Sequence, residues 1–124
     1  MSTPTDAVGG LAAESLSPED GKLVVLAHAT RARTGAAEGA ALRDLDGRTY
    51  AAATVDLPSL QVSALGVCVA MAVASGAKGA EAAVLLTDDE VGADALAPLR
   101  DLAGAGIPVH TGSPSGRITG GLTT

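Results

Sequence analysis

The stretch GAALRDLDGRTYAAATVD, residues 39–56, sets the dipeptide Asp46-Gly47 between two apolar runs. Glycine tolerates the positive φ of a tight turn and aspartate bonds nearby backbone amides. The pattern therefore predicts two antiparallel strands, one from Gly39 and one from Thr49 to Thr54. Upstream, Ser17-Pro18-Glu19-Asp20 reads as a helix start, with Ser17 as N-cap, Pro18 at the first helical position and two acids at the positive end of the dipole. That helix is expected to reach about Arg33, with Leu23, Leu26, Ala27 and Thr30 on one face, and to stop at Thr34-Gly35. Downstream, Pro58 closes the hairpin region. A second helix is expected to begin near Ser59 and run from Leu60 to Ala74, apolar on every side from Val62.

Beyond the loop Gly76–Gly79, residues Ala82 to Thr87 predict a central strand, Ala93 to Ala103 a third helix and Ile107 to His110 a fourth strand. This order predicts an α/β fold of three layers, α/β/α, a mixed sheet with helices on both faces. One domain over residues 17–112 is expected, with a flexible N-terminal arm over 1–16 and a flexible Gly/Ser/Thr-rich tail over 113–124.

Composition narrows the functional classes. The 124 residues include 8 Lys and Arg against 14 Asp and Glu, a formal charge of −6. Nucleic acids and anionic membranes reward clustered cations, so neither is an expected partner. Tyr50 is the only aromatic residue, which excludes a base-stacking surface. A single cysteine excludes an internal disulfide. The start MSTPTDAVGG has no basic or apolar targeting segment, and no apolar run reaches the roughly 18–20 residues of a membrane span. A cytoplasmic protein is expected. The Ala-, Gly- and Val-rich composition, with no Asn and no Phe, also suggests a coding sequence rich in G and C.

Few residues can carry chemistry. His28, Cys68 and His110 stand far apart without metal-ligand spacing. Ser63 is read as a packing serine within an apolar helix rather than a nucleophile, since no base is near it in sequence. Asp88, Asp89 and Glu90 could hold a cation, but their position before a helix favours capping. His28 and His110 are read as surface residues with nothing to pair with, and Cys68 as a buried small hydrophobe. Arg31, Arg33, Arg43 and Arg48 could form a small anion patch.

Three segments together resemble the cytidine deaminase family of zinc-dependent nucleoside deaminases. GAALRDLDGRTYAAATVD resembles the family's first hairpin, which leads to an Asn-x-Glu motif. SALGVCVAMAVASGA is similar to the helix that opens with its Cys/His-Ala-Glu zinc motif. LRDLAGAGIPVHTGSPSGR resembles the stretch after its second zinc motif. The likeness spans about Ser17 to Arg117.

The resemblance implies a zinc site, and at each of its positions this chain departs from the motif. One anchoring sets Ser63-Ala64-Leu65 on Cys/His-Ala-Glu; another sets Leu65-Gly66-Val67 there. In either, the ligand and the glutamate are missing. The second motif, Pro-Cys-x-x-Cys, falls on residues 91–95, with Gly92 and Ala95 in place of its cysteines. The ribose-holding Asn-x-Glu becomes Thr54-Val55-Asp56, and the base-packing phenylalanine falls near Ala36. Zinc is therefore expected to be absent. The expected function is an inactive deaminase-like scaffold or binding partner for an unidentified protein. It would assemble as a homodimer or homotetramer through helix 62–74. A nucleoside or small-metabolite binding module that uses the remnant pocket, with Thr54 and Asp56 contacting hydroxyls, is the alternative, and a working zinc deaminase a third.

Overall fold

Strands β1 (Gly39–Asp44) and β2 (Thr49–Ala53) pair antiparallel across the Asp46-Gly47 turn, with Arg43 opposite Thr49, in a computed structural model that describes residues 16–124. The arm expected over 1–16 falls outside the described residues, save for Leu16. Gly47 adopts φ +84°, as the turn requires. A buried carboxylate closes the turn. Asp44 Oδ1 accepts the amides of Asp46 and Arg48, each at 2.9 Å, and Oδ2 accepts the Tyr50 hydroxyl at 2.8 Å. Burial alone would raise the Asp44 carboxyl. The bonds from Tyr50, Arg48 and Asp46 outweigh it and hold the group below its ordinary range.

The main sheet runs β2-β1-β5-β6-β7, with β5 (Ala80–Leu86) central, then β6 (Pro108–Gly112) and β7 (Ile118–Thr123). Among the described residues β5 and β6 run parallel and the other neighbours antiparallel, so the sheet is mixed. Helix α1 (Pro18–Thr34) covers one face, burying Leu23, Val24 and Ala27 against Val84, Leu86 and Ile118. Helices α2 (Ala64–Ala74) and α3 (Ala97–Ala103) cover the other, where Leu65, Cys68 and Leu99 meet Leu42, Leu85 and Val109. The three layers are those expected. Among the described residues no helix is long and apolar enough to cross a membrane.

Local capping places α1 as read. Ser17 Oγ accepts the Asp20 amide at 3.1 Å, and Gly35, at φ +67°, returns its N–H to the Arg31 carbonyl at 2.9 Å. The helix lies close on β1 because residue 39 has no side chain. A Cβ there would collide with the Ala27 carbonyl oxygen and stand 2.7 Å from the Arg31 Cβ.

Two expectations are corrected. Residues 55–62 do not begin a helix. They form a second hairpin, β3 (Val55–Leu57) with β4 (Leu60–Val62), turning at Pro58-Ser59, and α2 starts four residues later than read. Proline's fixed φ suits a turn as well as a first helical turn, and Ser63 competes successfully with Ser59 as N-cap. The tail expected to be flexible over 113–124 contains β7, which pairs with β6 over its length.

An ionic cluster ties α1 to the sheet. Asp20 takes Arg43 Nη2 at 2.9 Å and His110 Nε2 at 2.8 Å, and Arg43 Nε reaches Glu81 Oε1 at 2.7 Å. His110 is thus paired, contrary to the sequence reading, by a residue ninety positions away. Burial pushes the Asp20 carboxyl up, but the bonds from His110 and Arg43 outweigh that and lower it from 3.8. A carboxyl depressed in the folded state contributes stability that is complete above its unfolded pKa. That contribution is lost as pH falls from about 4 through the folded value. Melting curves between about pH 2 and pH 6 should show Asp20→Asn with a shallower acid-side fall in Tm than the wild type. An unchanged slope would contradict this.

Candidate functional site

Of the positions implied by the resemblance, Ser63, Ala64 and Leu65 lie at the start of α2 and Gly92 and Ala95 at a separate 3₁₀ turn. Ser63 is the N-cap of α2, its Oγ accepting the Gly66 amide at 3.0 Å. It is exposed and outside the helix, not the packing serine within it that the sequence suggested. Ala64 and Leu65 open the helix. Leu65 is only 1% exposed, held in the apolar cluster that includes Leu96 from the 3₁₀ turn Ala93–Leu96, with Val91 packed against it. The helix start at Ala64 favours the anchoring on Ser63-Ala64-Leu65 over the one on Leu65-Gly66-Val67.

Gly92 is exposed and precedes the 3₁₀ turn, giving no side-chain cap; Ala95 is exposed within it. Asp88, Asp89 and Glu90 therefore do not cap a helix. The Asp89 amide bonds Thr87 Oγ1 at 3.1 Å, and the three exposed carboxylates line a cavity of about 500 Å³ with Thr111, Gly120 and Leu122. No anion patch forms from the arginines, since Arg43 is taken by Asp20 and Glu81, and Arg31 Nε by the Ala36 carbonyl at 2.7 Å.

Thr54 is half-buried. Its hydroxyl oxygen accepts the Glu38 amide at 2.9 Å, and its own N–H donates to the Glu38 carbonyl at 3.2 Å. Its hydroxyl is thus engaged by the chain itself. Asp56 is exposed on the second hairpin, and Ala36 is half-buried beside the end of α1. Cys68 is fully buried with Sγ 3.5 Å from the Tyr50 carbonyl, and burial pushes its thiol up to about 12. Its reading as an inert packing residue holds. His28 stays at the surface, its Nδ1 3.2 Å from the Pro114 carbonyl.

One polar side chain at the start of α2 escaped the sequence reading. Glu38 Oε1 accepts the Ala64 amide at 3.3 Å, setting a carboxylate at the α2 N-terminus beside the Ser63 cap. A signal existed. Extending the hairpin register outward by one step from Gly39 and Ala53 sets Glu38 across from Thr54 and so close to the chain leading into α2.

The donor set does not fit a tetrahedral zinc. The positions that the motif assigns to ligands hold a serine committed to capping, a glycine and an alanine, and the last two carry no donor atom at all. At the glutamate position stands a buried leucine.

Comparison with known proteins agrees with this architecture. A profile of the family described as cytidine deaminase-like matches residues 16–116. The fold is similar to the crystal structure of cytidine deaminase from Mycobacterium leprae, with a TM-score of 0.64 and 18% identity over 83% of this chain and 92% of that one. It is similar also to the cytidine deaminase from Burkholderia pseudomallei, with a TM-score of 0.65 and 18% identity over 88% of this chain and 92% of that one. A search of curated protein sequences finds no match. At such identity the structural likeness is one of fold, and the profile match carries the kinship: the chain belongs to the cytidine deaminase-like family.

Proposed function

We propose that this protein is a catalytically inactive member of its family, retained as an oligomeric binding scaffold. What supports the reading is Leu65, almost wholly buried where the motif calls for the proton-shuttling glutamate, together with ligand positions occupied by Ser63, Gly92 and Ala95. Activating water for deamination requires a Lewis acid that lowers its pKa and a carboxylate that moves its proton. These four side chains supply neither. The exposed face of α2 supports assembly. Leu65, Cys68, Val69 and Ala72 turn inward, while Ala70, Met71, Val73 and Ala74 face outward, Val73 at 55% exposure. Leu57 and Leu60 on the second hairpin add further exposed apolar surface. Exposed apolar surface of this kind is what a second copy of the chain would cover.

Plasma emission spectroscopy on protein purified without chelator, with a cytidine turnover assay on the same preparation, tests the reading. Zinc far below one per chain and no turnover are expected. About one tightly held zinc per chain with turnover would overturn it. Light scattering on that preparation should give a dimer or tetramer, and a strictly monomeric particle would refute the assembly.

A further inference from the structure

Strand β7 ends the sheet, and among the described residues nothing pairs with its outer side. Its residues, Ile118-Thr119-Gly120-Gly121-Leu122-Thr123, include no charge and no proline, the devices that usually blunt an edge. A register shift lies opposite its first residues, between Thr111 and Gly112, and leaves Gly120 to Thr123 regular.

The direction of its backbone groups follows from the ladder. Thr124 donates to the Ile107 carbonyl at 3.0 Å and accepts from the Gly106 amide at 2.9 Å, so it faces β6. Antiparallel pairing alternates, so Leu122 and Gly120 also bond toward β6, whereas Thr123 and Gly121 present N–H and C=O outward. Pro108, which has no N–H, stands opposite Thr123, in keeping with a pair that exchanges no bonds.

Beside this edge lies the cavity bounded by Asp88, Asp89 and Glu90. It opens on the α2/α3 side of the sheet, because Leu122 and Gly120 share the face of Val109, which packs into that cluster. The glycine at 120 leaves the floor of the cavity clear of side chain. Every other side chain of an added strand would project on this face, toward three carboxylates.

We propose that the β7 edge receives an extended segment of another protein as a sixth strand, with Lys or Arg at alternate positions directed at the acidic cavity. Charge selects this occupant. A second copy would bring another net −6 and the same acidic loop, and residues 1–15 of this chain contain Asp6 and Glu14 but no Lys or Arg.

The probe is a short fluorescein-labelled peptide alternating Lys and Val, followed by anisotropy. Saturable binding that weakens with salt is expected, with none for the peptide carrying Glu in place of Lys. Thr123→Pro deletes one outward N–H without touching a bond to β6. It should weaken binding by at least about tenfold, as should the combined D88N/D89N/E90Q variant. If Thr123→Pro alters the melting curve, a peptide N-methylated at its edge-facing amides makes the same test on the wild-type protein, with the same loss expected. Undiminished binding in these arms would overturn the proposal, as would equal binding of the Glu peptide or no saturation by millimolar peptide. Self-association abolished by Thr123→Pro would assign the edge to a second copy and overturn it too.

Discussion

Leu65→Glu, which restores the carboxylate of the family motif, should destabilise the protein at pH 7 by on the order of 3–5 kcal/mol, a fall in Tm of roughly 10–20 °C. Position 65 is 1% exposed and packed among apolar side chains, so the new carboxylate is cut off from water. Burial raises its folded pKa above the unfolded value near ~4.3. Below that value both states are protonated and only the altered packing is felt. As pH rises through the folded pKa, the protonation-linked contribution is lost and the penalty grows to its full size. Thermal melts of wild type and variant from about pH 4 to pH 8 measure the widening gap. Zinc should restore nothing. A variant whose Tm rises on zinc addition would reveal metal ligands that Ser63, Gly92 and Ala95 do not supply, and would refute the metal-free reading.

Gly39→Val should be comparably harmful for a steric reason. The added Cβ would meet the Ala27 carbonyl oxygen and the Arg31 Cβ, both fixed parts of α1 that cannot swing aside as a flexible side chain would. Helix α1 must lift from β1, loosening Leu23, Val24 and Ala27 in their cluster with Ala41, Val84 and Ile118. Overpacking of this kind costs about 1–3 kcal/mol, and more where backbone is displaced. Urea unfolding should show a lower midpoint. The Asp20 contacts to Arg43 and His110 span the same helix and sheet, so the acid-side slope of Tm should flatten as well. Gly39→Ala should cause a smaller loss, and a neutral valine would contradict the close packing of α1 on β1.

How much of this could be read from the chain depends on how far apart the deciding groups lie. Ser17-Pro18, Gly35 and Asp46-Gly47 were legible because each acts on backbone within a few residues. The segment at 58–63 was not. Pro58-Ser59 and Ser63 both resemble helix starts, and pairing of Val55 with Val62 chooses between them. Strand β7 is interrupted by Gly120-Gly121, which weakens the strand preference of Ile118 and its threonines, and it forms because β6 offers it an edge. The same holds at the site. The departures from the family motif at Ser63, Gly92 and Ala95 can be read without coordinates; the hairpin register sets Glu38 across from Thr54, but the bond of its carboxylate to the Ala64 amide needs the assembled fold.

The α/β layering, the first hairpin, the capped first helix and the identities of the residues at the motif positions were readable from the chain alone. All of these rest on local chemistry or on residue identity. The second hairpin, the burial of Leu65, the Asp20–His110 pair and, among the described residues, the unpaired outer side of β7 came from the assembled fold. Each depends on a contact between distant segments whose geometry exists only once the sheet has assembled.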